Sequence, residues 1–369
     1  MVRISIPTLP KAPLLPPSGL SILPLPQAAS YLAQFLENGK GNTVMLTGAG
    51  VSVDSGIRAY RGEKGTYSNP NYKPILYHEL VEDSDRGDMF SKADVVHSDW
   101  ARSFLGYPPV RDAQPNPTHI YIAALQHLGL APKLITQNVD NLHRKASSLL
   151  SPTYDKSSIL ELHGTLAKVH CLKHRHEQTR DVYQDEISRM NPIWDQEAKE
   201  AERTGRRPRT NPDGDVELHG VDYRSFSVPP CRVCEREKVK SSMVKPNVVF
   251  FGETITPAVR DESLHLISSS SSLLILGTSL ATYSAFRLVK LAVEHKKPVL
   301  MITTGPTRAD PFMGKRLDKM DRVAGDVLGK YLDEAVKTST GKEVEDVKRY
   351  LHTGVVKRPP EVEGPRAEG

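Results

Sequence analysis

Short polar segments able to do chemistry follow runs of apolar residues in this chain. In Thr136-Gln-Asn-Val-Asp140, Asn138 and Asp140 stand two residues apart, so both point the same way if the preceding extended geometry continues. An amide and a carboxylate so placed can reach a carboxamide and a ribose, with Gln137 beside them; the same residues also suit a cap on a helix starting near Asn141. Glu161-Leu-His-Gly164 places His163 at the end of another such run, where an imidazole serves as a general base near neutral pH or as a structural hydrogen-bonder. Gly48-Ala-Gly-Val-Ser-Val-Asp-Ser-Gly56 and Gly277-Thr-Ser279 are small-residue turns. Glycine lets backbone N–H groups approach a phosphate at a helix N-terminus, although the first turn is not G-x-G-x-x-G and a plain tight turn reads the same way.

A second chemistry belongs to metals. Cys171-Leu-Lys-His174 and Cys231-Arg-Val-Cys234 are two knuckles flanking an insert, the pattern of a closed, tetrahedral structural zinc site. The expected ligands are Cys171, His174, Cys231 and Cys234, with His170 and His176 near enough to stand in for His174. Three cysteines cannot all pair with one another, and C-x-x-C suits a metal better than a structural disulfide, which points to a reducing compartment. Lys245-Pro-Asn-Val-Val-Phe-Phe-Gly-Glu253 reads as an apolar strand whose edge an extended peptide can join, with Val248, Val249 and Phe250 facing it.

Elements that alternate in type must hold these segments. Thr43–Thr47, Lys133–Thr136, Ser158–Leu162, Asn247–Phe251, Leu273–Leu276 and Val299–Thr303 read as strands, with helical patterns between most of them. The fold class is therefore α/β, a Rossmann-like doubly wound parallel sheet carrying a zinc-binding module and a helical module. We expect a leader or presequence at 1–24, the sheet domain at 25–165 and 240–335, the helical module at 60–115, the zinc module at 166–239, and a disordered, charged tail at 336–369. Within the insert, Asp181–Thr204 reads as one helix.

Of 369 residues 25% are charged and 38% hydrophobic, ordinary for a globular protein, and no apolar run approaches the roughly 20 residues of a membrane span. The net charge of +5 is scattered rather than gathered in an aromatic-lined stripe, which argues against specific nucleic-acid binding. The first acid is Glu37; such an acid-free, Pro-rich start fits either a mitochondrial presequence or an unstructured leader.

Taken in order, these motifs resemble the sirtuins, NAD-dependent protein deacylases, from about Ala28 to Tyr331. The resemblance is greatest to the mitochondrial class II branch, through Trp100-Ala-Arg102, Gln114-Pro-Asn-Pro117, Pro212-Asp-Gly-Asp215, Arg224-Ser-Phe226 and Gly305-Pro-Thr-Arg308. It implies that His163 is the base activating a ribose hydroxyl, with Asn138 also catalytic. Gly48, Ala49, Gly50, Ser52, Ile57, Tyr60, Arg61, Gln137, Asn138, Asp140, Gly277, Thr278, Ser279, Thr303, Gly305 and Val323 would bind NAD, the co-substrate. Zinc would be structural, acylated proteins the substrates and the chain a monomer, located in the mitochondrial matrix or otherwise in the nucleus or cytoplasm. Gly56-Ile-Arg-Ala-Tyr-Arg61 departs from the family's Gly-Ile-Pro-Asp-Phe-Arg, Thr303-Thr-Gly305 replaces an Asn-containing turn, and Val323 stands near a usual Cys. Relatives that remove succinyl groups present a Tyr and an Arg to the acyl carboxylate; here Arg102 is present but Asp99 takes the Tyr position, so neutral acyl groups are expected. Protein mono-ADP-ribosylation and a weakly active NAD-sensing scaffold are the alternative functions.

Overall fold

The computed structural model describes residues 20, 23–62, 65–68, 76–77, 89–206, 210–216, 222–239, 242–314 and 316–357. Most of the expected leader, much of residues 63–88 and the stretch 358–369 lie outside them.

Strands β1 (Thr43–Thr47), β2 (Lys133–Thr136), β3 (Ile159–Glu161), β7 (Ser272–Leu276), β8 (Val299–Ile302) and β9 (Leu317–Met320) form one sheet in the order β3-β2-β1-β7-β8-β9. Every pairing is parallel. All residues of β1, β7 and β8 are buried, as strands covered on both faces must be. One face packs on α1 (Leu25–Gly39), α3 (Pro117–His127), α4 (Leu142–Leu150) and α10 (Ala324–Thr338) through residues such as Leu32, Leu125, Leu150 and Leu328. The other packs on α8 (Pro257–Ser269) and α9 (Tyr283–Glu294) through Ile267, Leu288 and Val289. Strand order runs outward from β1 in both directions, so β1 and β7 flank the switch point where doubly wound sheets bind ligands.

The expected strand 247–251 instead runs from Val244 to Val248 and does not enter the parallel sheet. This strand, β6, joins a small antiparallel sheet, β5-β4-β6, with β4 (Gly164–Cys171) and β5 (Glu177–Thr179), so the second module begins at β4 and includes β6. The expected helix 181–204 is two helices, α5 (Arg180–Met190) and α6 (Pro192–Arg203), because Pro192 has no N–H with which to extend the first. Helix α2 (Met89–Asp112), expected over the first crossover, packs on this module: Trp100 and Phe104 share a core with Tyr183, Ile187, Phe226 and the cysteines. Pro108 in α2 cannot donate to the Phe104 carbonyl, and Gln184 Nε2 from α5 does so at 2.9 Å. Arg180 is fully buried between the Trp100 and Tyr107 rings, 4.9 and 4.7 Å from their centroids. A short helix, α7 (Arg232–Arg236), carries Cys234.

The tail is not disordered as far as residue 357. Lys342–Tyr350 is a helix, α11, that buries Val344, Val347 and nearby Leu351 in the α1–α3–α10 core. Its charged outer face hides this short apolar stripe from a compositional reading. Beyond it, Val355 N donates to Pro115 O (2.9 Å), just ahead of α3, and Lys357 N to Asp54 O (2.7 Å), which ties residues 355–357 to the loops before α3 and after β1. Gly354, at φ +111°, lies against the Asn116–Pro117 backbone, where a Cβ would come within 2.8 Å. Leu351→Ala should lower stability by about 2–4 kcal/mol in urea titrations with an unchanged m-value; a midpoint equal to the parent's would mean the tail does not pack.

Candidate active site

A cleft of about 1350 Å³ opens at the carboxyl ends of the parallel strands and reaches the loop after β6. At its floor the turns after β1 and β7 meet. Gly50 N donates to Gly277 O at 2.9 Å, and a Cβ on Gly50 would stand 2.6 Å from that oxygen. Gly277 sits at φ +56° with Val51 N 2.8 Å from its would-be Cβ, so both positions exclude side chains.

Behind this floor is a buried polar network. Asn138 Nδ2 donates to Gly48 O (3.1 Å) and Ser52 Oγ (3.0 Å), which leaves its carbonyl oxygen to offer a ligand. Ser52 Oγ donates to Asp140 Oδ2 at 2.7 Å, while Leu142 N donates to Oδ1 at 2.9 Å. Burial raises the Asp140 pKa, and these two donors oppose the rise. His119 Nδ1 accepts from Asn116 N, so its Nε2–H faces Ser52 Oγ at 3.2 Å. Thr47 Oγ1 donates to Thr136 Oγ1 and therefore accepts from His143 Nε2 at 2.9 Å. Gln137 Nε2 bridges Thr47 O and Thr278 Oγ1 at 3.1 and 2.9 Å, joining the turns after β2 and β7.

His163 stands where β3 gives way to β4. Its Nδ1 lies 3.1 Å from Gln137 O, which only accepts, so the proton resides on Nδ1 and Nε2 is the free base. Ser284 Oγ, at the start of α9, donates to Nε2 at 2.7 Å. Burial lowers the His163 pKa to about 4, so the ring is neutral at physiological pH.

The cleft wall collects Ala49, Gly50, Ile57, Tyr60, Arg61, Gln137, Asn138, Asp140, His163, Val248, Val249, Phe250, Gly277, Thr278, Ser279, Thr303, Gly305 and Val323. Gly48 and Ser52 lie just behind it, in the network described above. Arg102 is the exception. It lies on α2, off the cleft wall, and its guanidinium meets Asp215 at 2.9 Å and Asp99 at 3.4 Å. Ser284 and Thr282 are site residues that the spacing does not reveal: no local pattern marks a serine whose partner is His163, 121 positions away.

At the second module, Cys171, His176, Cys231 and Cys234 offer donor atoms within 4.8 Å of one another. Cys171–Cys234 sulfurs are 3.5 Å apart, and His176 Nδ1 lies 3.6 and 3.5 Å from the sulfurs of Cys231 and Cys234. Tetrahedral zinc bonded to sulfur at about 2.3 Å and to nitrogen at about 2.0 Å requires separations of about 3.5–3.8 Å, so this set fits the ion. His174, expected as the fourth ligand, is exposed and stands outside this four-residue set, although its Nδ1 is 3.7 Å from Cys234. The chain returns from the Cys171 turn through Arg175 at φ +58°, and Cys171 N donates to His176 O at 2.9 Å, which brings His176 back over the cysteines. Bound there, zinc would clamp β4 to α7 and take no part in chemistry at the distant cleft.

Residues 48–284 match the Sir2 family model. The chain belongs to the Sir2 family. The matched span of this Sir2 chain starts at the glycine turn and ends at the serine that touches His163. The "NAD-dependent protein deacylase SIR4" of Batrachochytrium dendrobatidis is 41% identical, over 79% of this chain and 90% of that one. The "NAD-dependent protein lipoamidase sirtuin-4, mitochondrial" of Homo sapiens is 37% identical, over 79% and 83%. Among solved structures, one described as "Structural Basis for the Mechanism and Regulation of Sir2 Enzymes" aligns with a TM-score of 0.51 at 26% identity, over 88% and 98% of the two chains.

Two expectations follow from this geometry. Burial holds the His143 pKa near 3, below its ordinary value, so its contribution to stability is complete above about pH 6.5 and is lost as pH falls toward 3. Unfolding free energy should therefore drop between pH 6.5 and 5 by about 2 kcal/mol more in the parent than in His143→Gln, and equal slopes would refute the buried neutral imidazole. For the metal, elemental analysis should find one zinc per chain, with Cys231→Ser and His176→Ala losing it and His174→Ala keeping most of it. Zinc retention in His176→Ala together with loss in His174→Ala would restore His174 as the ligand.

Proposed function

We propose that this Sir2-family chain is an NAD-dependent protein lysine deacylase, an acyltransferase that passes the acyl group to ADP-ribose and releases nicotinamide. The observation that carries the reading is His163 itself: a neutral imidazole with its unprotonated Nε2 on the wall of a cleft that also holds Asn138, Asp140 and the Gly277–Ser279 turn. NAD, when bound, supplies the ribose carbon that accepts the acyl oxygen and the nicotinamide that departs. His163 Nε2 takes the proton from a ribose hydroxyl once Ser284 yields its place. Asn138 presents its carbonyl oxygen to the nicotinamide ribose or carboxamide, held by its two donations to Gly48 and Ser52. Gly48 N and Gly50 N are taken by Leu276 O and Gly277 O, so the small-residue Gly48–Gly50 turn would serve the NAD phosphates mainly by letting them come close to the backbone.

An acylated protein segment fits alongside β6. That strand pairs only with β4 among the described strands, and Val248–Phe250 line the cleft next to His163, with Val249 N donating to His163 O at 2.9 Å. Neutral acyl groups suit the site, since Arg102 is matched by two carboxylates and has no charge to spare for a third. The lipoamidase activity in the human relative's name agrees with a neutral acyl chain, and the mitochondrial location in that name supports the same compartment here. His163→Ala should retain NAD binding while cutting turnover on acetyl-, lipoyl- and fatty-acyl-lysine peptides by about 10²-fold or more, followed by mass spectrometry. The parent should favour these over succinyl-lysine. Undiminished deacylation by the variant would remove His163 from the mechanism.

A further inference from the structure

The cleft holds a charge that deacylation does not use. Helices α8 and α9 both open onto it with their N-terminal turns, which carry Arg260 in one and Ser284 and Arg287 in the other. Arg287 lies one turn beyond Ser284, the residue that touches His163. Its Nε and Nη2, the guanidinium edge that grips a carboxylate as a fork, are buried and without hydrogen-bond partners among the described residues. A charged donor left in that condition is unfavourable unless a ligand satisfies it, and the cleft is where such a ligand can enter.

The surroundings favour an anion. Burial and then the neighbouring Arg260 lower the Arg287 pKa, with Tyr283 and Asp261 opposing, so its charged form stands to gain from an added anion. The positive ends of two helix dipoles add to it. The acids nearby are committed elsewhere: Asp261 accepts from Arg260 at 2.7 and 3.2 Å, and Glu253 meets Lys245 at 3.0 Å and Phe250 N at 2.9 Å. Helix α8 packs on β3 and α9, and α9 on β7 and β8, so Arg260 lies toward the β3 edge while Arg287 is one turn from Ser284, which touches His163 after that strand. The glycine turns suited to phosphates follow β1 and β7, whereas Val249 and Phe250 run beside His163, which follows β3.

We propose that Arg287, assisted by Arg260, is a carboxylate-binding subsite that selects protein substrates bearing an acidic side chain next to the acyl-lysine. This rests on the deacylase reading and adds a preference for sequence around the modified residue. The fork geometry explains why a carboxylate is preferred, since its two oxygens match the Nε and Nη2 donors.

The test uses the full chain and three fluorescent acetyl-lysine peptides, identical except for Glu, Gln or Lys flanking the acyl-lysine. The parent should show kcat/KM at least tenfold higher for the Glu than the Gln peptide. Arg287→Gln should bring that ratio near one, Arg287→Lys should restore part of it, and Arg287→Glu should favour the Lys peptide, an inversion that mere loss of structure does not produce. Anisotropy titrations of the same peptides without NAD read the subsite independently of turnover. Tighter binding of the Glu peptide with no acyl transfer would uphold the subsite and reject the deacylase reading. Equal binding of Glu and Gln peptides by the parent would overturn the subsite. A rise confined to the KM for NAD in Arg287→Gln, with the peptide ratio unchanged, would assign the anion to NAD phosphate and equally overturn it.

Discussion

The site depends on one close approach. Between β1 and β7 the chain reverses its direction of travel across the sheet, and there Gly50 and Gly277 bring two backbones into direct hydrogen bonding. Neither position has room for a Cβ. The contact sets the spacing of every loop at the carboxyl ends of the strands. Gln137 spans the turns after β2 and β7, His163 donates to Gln137's carbonyl, and Ser284 reaches His163 from the helix that follows the β7 turn. A wider gap at the glycines would misplace each of these in turn.

Behind the contact the protein keeps histidine for structure as well as chemistry. His119 and His143 lie ring against ring, 4.9 Å apart, and burial keeps both neutral. They supply single, directed N–H donors to Ser52 and Thr47, so the cleft floor is built from hydroxyls and amides whose hydrogen bonds have a fixed direction. That order leaves the Asn138 carbonyl oxygen open to a ligand instead of a neighbour.

Much of this was legible in the sequence. β1, β2, β7 and β8 were readable because strands covered on both faces must be apolar throughout, and their polar termini then mark the cleft. β6 was misplaced because Lys245 and Pro246 are buried within it for reasons of module packing that periodicity cannot see. Cysteine spacing identified the metal cluster, but three nearby histidines satisfied that spacing, and the turn through Arg175 selects His176. Ser284, Arg287 and the pairing of Arg102 with Asp215 arise from contacts between distant segments, and no local pattern encodes them. The α11 helix escaped because only Val344, Val347 and Leu351 anchor it amid charge.

The return of Lys357 to the loop after β1 has a consequence for synthesis. A polypeptide emerges from the ribosome N-terminus first, so Asp54 and Ser55 are made about 300 residues before Lys357, which braces them. The β1 loop therefore waits through the production of the sheet, the metal module and α11 before gaining that support. A protease that cuts just ahead of Lys357 would leave the sheet and metal module complete but that loop without its strut.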